Sequence, residues 1–270
     1  MTVRRLPLVL VALACVASWT ARTASAAPLP PNTLSPEEKR AGFVLLFDGK
    51  TTDGWRGFNR TEMPKNGWKV VDGTLAYEPV GPDSDKPGDI VTEAEFDNFE
   101  LRLEWKLSPG GNSGVKYLVN EARVSSGHNG LAFEMQILDD DKHPDAKKGI
   151  AGNRTAGALY DLIPPSKAMA KPIGEWNDAR LVVKGSHVEH WLNGHKVVEY
   201  DRDSQMMRAL INTSKYKDIE GFGTDARGRL LLQDHGDAVW YRNVRVRKLA
   251  APRTKAAAAG PMPAKTSNRD

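Results

Sequence analysis

Apolar and polar residues alternate along most of the middle of this chain. The clearest run spans 99–107, where large apolar side chains at every second position alternate with charged ones. Because successive side chains of a strand point to opposite faces, this run predicts a long strand with one buried face. Two dipeptides between such runs, Asp72-Gly73 and Asn193-Gly194, are typical of two-residue hairpins. Shorter strands are predicted at 43–47, 68–71, 74–78, 115–119, 133–139, 180–184, 187–192, 196–200, 230–233 and 239–246.

Helix signals are few. Ser35-Pro36-Glu37-Glu38 has a capping residue followed by proline at the first helical position, and 205–211 has a short helical pattern. Many short strands separated by turns predict an all-β protein built as a β-sandwich. No linker divides the body, so residues 42–249 are predicted to form one domain, preceded by an N-terminal extension at 27–41.

The two ends of the chain differ from this body. Residues 1–26 combine early arginines, a short apolar run and Ala24-Ser25-Ala26, which predicts a cleaved signal peptide and an exported, periplasmic or extracellular protein. A lipid anchor at Cys15 is the alternative, although Ala12 is smaller than the residue usual three positions before a lipidated cysteine. The apolar run is too short to predict a membrane-spanning helix.

The tail 250–270 is polar and rich in alanine and proline, so we predict that it is disordered.

The formal net charge of +4 comes from these ends. The signal segment and the tail each carry a net +3, which leaves the body at −2. A basic face for nucleic acid is therefore not predicted. The single cysteine, Cys15, lies in the signal segment, so the mature protein is expected to have no disulfide.

The strand at 133–139 carries the first candidate chemistry. Glu134 and Gln136 share one face, opposite Phe133, Met135 and Ile137. A carboxylate and an amide side by side suit a polar substrate groove, although half-buried strands also carry such residues on a solvated face.

Two other strands place polar side chains in the same way. Asn112 follows a glycine-rich turn, and Lys116 lies on the strand that begins there. Gln233 and His235 share one face at the end of a late strand, and histidine can act as an acid or base near neutral pH. An ordinary turn and a solvated strand end are the alternatives.

Two further candidates have structural alternatives of their own. In the last strand, Trp240, Arg242, Val244 and Val246 share one phase, so Arg242 is either a substrate contact or half of a structural ion pair. The acidic loop that begins at Asp139 offers oxygen ligands for a divalent cation, or is a solvated turn.

An ordered series of short motifs resembles the 3-keto-disaccharide hydrolase family. The series covers about residues 42–249 and consists of Leu46-Phe47-Asp48-Gly49-Lys50, Gly54-Trp55, Asn112-Ser113-Gly114, Glu134-Met135-Gln136-Ile137-Leu138-Asp139, Gly157-Ala158-Leu159-Tyr160, Gly174-Glu175-Trp176-Asn177, Trp191-Leu192-Asn193-Gly194, Leu232-Gln233-Asp234-His235-Gly236 and Arg242-Asn243. The resemblance implies a concanavalin A-like jelly-roll sandwich, as in lectins and glucanases. It also implies export, and a small-molecule glycoside substrate whose sugar carries a ketone at C3.

That substrate would set definite chemical requirements. A C3 ketone acidifies the hydrogen on C2, so a base can remove it, the C1 substituent can leave, and water can add back later. Glu134 and His235 are the candidates for base and acid, with Tyr160 as a further acid. Lys116, Asn112, Gln136 or a bound divalent cation could stabilise the enolate, and Gln233 and Arg242 complete the predicted substrate contacts.

Two other functions fit the same motifs. Laminarinase-like retaining glycosidases carry Glu-x-Asp-x-x-Glu on a groove strand, and this chain has Glu134, Gln136 and Asp139 at that spacing. The middle acid is an amide here and the last acid is shorter. A non-catalytic carbohydrate-binding module would use the tryptophans at 55, 68, 176 and 191 for sugar stacking and would not need Glu134 or His235.

Overall fold

The computed structural model describes residues 29–82, 84–123 and 130–252. The predicted signal segment, and the tail from residue 253, lie outside them, so both stay predictions. The strands of the described residues are β1 (Val44–Leu45), β2 (Trp55–Gly57), β3 (Trp68–Val71), β4 (Thr74–Tyr77), β5 (Ile90–Thr92), β6 (Phe99–Leu107), β7 (Asn112–Val119), β8 (Phe133–Leu138), β9 (Asn177–Lys184), β10 (His187–Leu192), β11 (His195–Asp201), β12 (Arg229–Leu232) and β13 (Val239–Lys248). The helices are α1 (Pro36–Arg40), α2 (Gln205–Thr213) and a 3₁₀ helix at Pro144–Lys147.

The strands form two antiparallel sheets. The larger sheet has the order β11-β10-β9-β6-β13-β4-β3, with β1 beside β13, and the smaller has the order β2-β5-β12-β7-β8. Both sheets contribute large, fully buried side chains to one core, among them Trp105 and Tyr241 from the larger sheet and Tyr117 and Phe133 from the smaller. The predicted β-sandwich is confirmed.

Several turns and caps form where short sequence motifs predict them. Asp72 and Gly73 have φ of +48° and +71°, and Asn193 and Gly194 have +49° and +80°, as two-residue turns between β3 and β4 and between β10 and β11 require. The predicted cap of α1 also forms, because the Ser35 hydroxyl accepts from the Glu38 backbone N–H and the Glu38 carboxylate accepts from that of Ser35.

The structure differs from the sequence prediction at two places. The strands β2 and β5 were not predicted, because three residues are too few to show alternation. The predicted phase of β13 is wrong, because its pairing with β6 shifts between Arg242 and Arg245 and Asn243 has a φ of +53°. This bulge places Tyr241 and Val244 together on the core side, with Arg242 outside.

A polar cluster is enclosed within the core. The Tyr117 hydroxyl lies 2.8 Å from His190 Nε2 and 2.6 Å from the Tyr200 hydroxyl, and His190 Nδ1 lies 3.2 Å from the Gly157 carbonyl oxygen. A neutral imidazole that donates from Nδ1 and accepts at Nε2 satisfies both contacts. Burial lowers the pKa of His190 from 6.5 to about 4.

We expect this histidine to make the stability of the protein depend on pH. Its pKa is lower in the folded chain than in the unfolded chain, so the unfolded chain binds the extra proton between pH 6.5 and about 4. The contribution of His190 to the free energy of unfolding should be complete above pH 6.5 and should fall by about 3 kcal/mol as the pH drops to 4. Buried carboxyl groups with raised pKa values, such as Asp140, act in the opposite direction, so the contribution is measured as the difference between the parent protein and a His190 variant.

Urea unfolding over this pH range measures the effect. The variant His190→Gln should be less stable at pH 7 and should lose most of the pH-dependent component. The exposed His195→Gln is the matched control and should keep it. Equal pH dependence in all three proteins would contradict the prediction.

Candidate functional site

The outer face of the smaller sheet carries a pocket of about 750 Å³. Its floor is formed by β7 and β8, and one side by the loops that precede β5 and follow β12. Such a volume suits a small molecule of the size of a sugar or a glycoside. The sequence-predicted residues that line this pocket are Asn112, Lys116, Glu134, Gln136, Tyr160, Gln233 and His235.

Glu134 is a buried carboxylate in the floor of this pocket. It is 5% exposed, and its Oε2 lies 3.9 Å from Nζ of Lys116, the residue directly opposite it in the β7–β8 ladder. Burial raises the pKa of Glu134, while the positive charges of Lys116 and Lys215 counteract part of that shift. A carboxylate in this setting is a stronger base than an exposed one and stays available for proton transfer.

Gly114 makes room for this carboxylate. A Cβ atom at position 114 would lie 2.8 Å from the Cδ atom of Glu134. The glycine of the Asn112-Ser113-Gly114 motif therefore allows the Glu134 side chain to lie across β7. Its role is to position Glu134, since it offers no functional group of its own.

We expect Gly114→Ala to lower kcat by about a hundredfold, because the added methyl group displaces the carboxylate by a fraction of an ångström or more. Steady-state kinetics and a thermal melt measure the effect. The double variant Gly114→Ala/Glu134→Gln separates positioning from general damage, because it should be no slower than Glu134→Gln alone. Multiplying defects in the double variant would contradict a role through Glu134.

Three amide side chains, those of Asn112, Gln136 and Gln233, line the same pocket as Glu134. Gln136 and Asn112 are 1% and 3% exposed, and Gln136 Nε2 lies 3.5 Å from Asn112 Oδ1. Gln233 Oε1 is buried and has no hydrogen-bond partner among the described residues. A buried acceptor without a partner is costly unless a ligand or water supplies the donor, so Gln233 is suited to a substrate hydroxyl.

Two loops meet on one side of the pocket. Asp89, which precedes β5, is partly buried there, and its Oδ1 accepts from the Asp234 backbone N–H at 2.9 Å. Asp234 in turn accepts from the Gly88 N–H through Oδ2 at 2.9 Å. Burial raises the pKa of Asp89, and Lys116 counteracts the shift. These ties fix His235, the next residue in the chain, at the pocket wall.

Tyr160 and Lys215 form another part of the wall. The Tyr160 hydroxyl donates to Asp145 Oδ2 at 2.7 Å, and Lys215 Nζ lies 4.2 Å from the centre of the Tyr160 ring. Burial and the Asp145 charge raise the pKa of Tyr160. Because its proton is directed at Asp145, Tyr160 is poorly placed to act as the acid of a reaction in the pocket.

Comparison with known proteins identifies the family of this chain. Residues 42–247 match the 3-keto-alpha-glucoside-1,2-lyase-like domain. A protein of Bacteroides thetaiotaomicron named 3-keto-disaccharide hydrolase is 39% identical over 230 residues, which cover 77% of this chain and 79% of that protein. The chain belongs to this family. Its lyase-like domain, residues 42–247, therefore makes it a carbohydrate-active enzyme.

Solved structures agree with this membership. One crystal structure of a Parabacteroides distasonis protein named as a glycosyl hydrolase has a TM-score of 0.72 and 32% identity, and covers 82% of this chain and 100% of that protein. A second from the same organism has a TM-score of 0.57 and 28% identity, with coverages of 77% and 99%. The predicted jelly-roll sandwich is thus the fold of the family.

Two predicted site residues of the lyase-like domain lie elsewhere. Asp139 Oδ2 accepts from the Gly110 N–H at 2.7 Å, and its Oδ1 accepts from two backbone N–H groups of the following turn. The buried Asp139 carboxylate therefore joins two turns through its hydrogen bonds. This corrects the prediction that Asp139 is a cation ligand. Arg242 lies on the larger sheet, where its Nε donates to Glu104 Oε2 at 2.7 Å, which corrects its prediction as a substrate contact.

The tryptophans do not line this pocket either. Trp55 and Trp68 are buried in the core. Trp191 lies partly exposed on β10 beneath Arg180, and Trp176, the residue before β9, lies partly exposed beneath Arg242. These four tryptophans therefore cannot stack on a sugar that is bound in the pocket.

Sequence reasoning missed Asp89, Lys215 and Asp234. Asp89 precedes a three-residue strand and Lys215 follows a helix, so neither belongs to an alternating pattern that would assign it a face. Asp234 did have a signal, because it lies between Gln233 and His235 in the motif Leu232-Gln233-Asp234-His235-Gly236.

Proposed function

We propose that this enzyme cleaves 3-keto-glycosides by elimination across C1 and C2, followed by addition of water. The observation that carries the proposal is the buried carboxylate of Glu134 beside the ammonium group of Lys116 in a pocket of glycoside size. The name of the 39% identical relative supports the same substrate class.

The residues of the pocket fit the steps of this reaction. Glu134 removes the C2 proton, which the C3 ketone has made acidic, and the electron pair of the C2–H bond moves toward the ketone oxygen. Lys116 stabilises the enolate that results. The bond from C1 to the leaving oxygen then breaks, and His235 supplies a proton to that oxygen. Water adds to C1 of the unsaturated sugar, and C2 regains a proton, which completes a net hydrolysis.

The other pocket residues orient the sugar. The unpartnered Gln233 oxygen accepts from a hydroxyl group, and Asn112 and Gln136 bind hydroxyl groups next to it. Tyr160 and Lys215 bound the pocket on the side of β8.

A retaining glycosidase on the same fold is a second candidate, and Asp89 is the observation that favours it. Such enzymes need two carboxyl groups on opposite sides of the scissile bond. Asp89 and Glu134 both line the pocket. In that mechanism a C3 ketone would give no advantage.

Matched 3-keto and unoxidised glucosides with one aglycone distinguish the two reactions. We expect release of the aglycone from the 3-keto substrate and little or none from the unoxidised one. The reaction in D₂O should also place deuterium at C2 of the product, because the C2 proton leaves during turnover. Equal rates on both substrates, or no deuterium at C2, would favour the glycosidase, and binding without turnover would favour a carbohydrate-binding module.

We also propose that the enzyme works outside the cytoplasm after removal of residues 1–26. Among the described residues, no helix combines the length and apolar character needed to cross a membrane. Intact-mass measurement of the exported protein tests the proposal. We expect a chain that starts at Ala27, and a mature chain that starts with lipid-modified Cys15 would contradict it.

A further inference from the structure

Two histidines and an aspartate meet at the edge of the pocket. Each of His143, His235 and Asp237 offers one donor atom, and these atoms all lie within 4.8 Å of one another. The two imidazole rings are nearly perpendicular, with ring centres 5.9 Å apart. His235 lines the pocket, so this cluster adjoins the space assigned to substrate.

Separate loops hold the three side chains in place. His143 caps the 3₁₀ helix after β8, whereas His235 and Asp237 lie between β12 and β13. Asp237 Oδ2 accepts from the backbone N–H of Asn112 at 3.1 Å, which ties this loop to the start of β7. Among the described residues, no lysine or arginine forms an ion pair with Asp237, so its negative charge is not neutralised by one.

We propose that His143, His235 and Asp237 bind one divalent first-row transition-metal ion, such as Zn²⁺. Two imidazoles and one carboxylate are ligands that Zn²⁺ and Co²⁺ accept readily, whereas Ca²⁺ and Mg²⁺ prefer oxygen ligands throughout. Three protein ligands leave at least one position of the ion open. If the proposed function holds, that position adjoins the substrate. In the metal-bound enzyme the ion would then replace the His235 imidazole, whose lone pair it uses, as the group that stabilises negative charge on the leaving oxygen, next to Lys116.

Binding requires one local rearrangement. His143 Nδ1 accepts from the Asp145 N–H at 3.2 Å. Coordination through Nδ1 uses this lone pair, and coordination through Nε2 moves the ring proton to Nδ1, where it faces the Asp145 N–H. In both cases the hydrogen bond opens, so metal binding should increase the exchange of the Asp145 amide hydrogen with solvent.

A second cluster of similar composition provides the control. His187, Glu189 and Glu199 lie together on the larger sheet. Lys196 Nζ lies 3.4 Å from Glu189 and 2.5 Å from Glu199, so an ammonium group already occupies the place of a cation there. This cluster is not expected to bind a metal ion tightly.

Titration of untagged, EDTA-treated protein with Co²⁺ and Zn²⁺ tests the proposal without substrate. We expect one equivalent of Co²⁺ to give visible absorption bands of a protein-bound ion, which Zn²⁺ abolishes and excess Ca²⁺ or Mg²⁺ does not. The variants His143→Asn and Asp237→Asn, which keep a hydrogen-bond acceptor at each position, should weaken binding at least tenfold. His187→Asn should bind as the parent protein does.

Two results would overturn the site: absence of stoichiometric binding by the parent protein, and binding that survives in His143→Asn but is lost in His187→Asn. Turnover of a 3-keto-glucoside gives a separate readout for the role of the ion. Activity lost in EDTA and restored by Zn²⁺ supports that role, whereas activity unchanged in EDTA removes it. Failure of the proposed function would instead show as no turnover with or without metal.

Discussion

Replacement of Glu134 by glutamine should lower kcat by about a hundredfold to ten-thousandfold, as expected for the loss of a general base. The substitution keeps the size of a side chain that is 5% exposed in the floor of the pocket. The fold and the affinity for substrate should therefore change little, and the loss should appear in kcat.

The pH profile adds a second measurement for Glu134. A base must be deprotonated to act, and burial raises the pKa of Glu134 above its ordinary value of 4.5. The activity of the parent enzyme should therefore fall as the pH drops through a value above 4.5, and the residual activity of Glu134→Gln should lack that step. The exposed Glu175→Gln is the control and should behave as the parent does. Near-normal turnover of Glu134→Gln would remove Glu134 from the mechanism and make the partly buried Asp89 the next candidate for the base.

Replacement of Lys116 by methionine should lower kcat by about a hundredfold to a thousandfold, because the developing enolate loses its cation. Lys116 also lowers the pKa of Glu134, from 3.9 Å away. Its removal should raise that pKa further, so the acid side of the pH profile should move to higher pH. Methionine preserves most of the length of the side chain, which limits the change in packing.

The combination of a slower rate and a shifted profile is what identifies Lys116 as an electrostatic partner of the base. Lys184→Met, at an exposed position on the larger sheet, is the control and should change neither quantity. A slower rate with an unmoved profile would mean that Lys116 binds substrate without acting on Glu134. Unchanged kinetics would contradict both roles.

The site was partly predictable because much of it lies on regular strands. Glu134 and Gln136 had to share a face of β8 once that strand was predicted. Gln233 and His235 line the same pocket, but from the loop after β12, which ends at Leu232, and not from one face of a strand. The opposite pairing of Lys116 and Glu134 was not predictable, because it depends on the register between β7 and β8. Without that register, the ion pair and the space made by Gly114 cannot be inferred.

Other residues could be assigned only from the folded chain. Asp89 and Lys215 reach the pocket from loops whose neighbours in sequence show no periodic pattern. Asp139 follows the candidate strand directly, yet the turn at Gly110 takes up its carboxylate. Arg242 changed faces because one bulged residue in β13 reverses the alternation.

The sequence by itself determined the alternating strands, the two Asx-Gly hairpins, the class of the fold and the face on which Glu134 lies. These properties depend on residues within about ten positions of one another, where backbone geometry alone relates side chains. The tertiary structure decided which sheet face is open, which lysine accompanies Glu134, and that His143 from one loop meets His235 and Asp237 from another. Those contacts join segments far apart in the chain, and they form only when the packing of the two sheets fixes strand order and register.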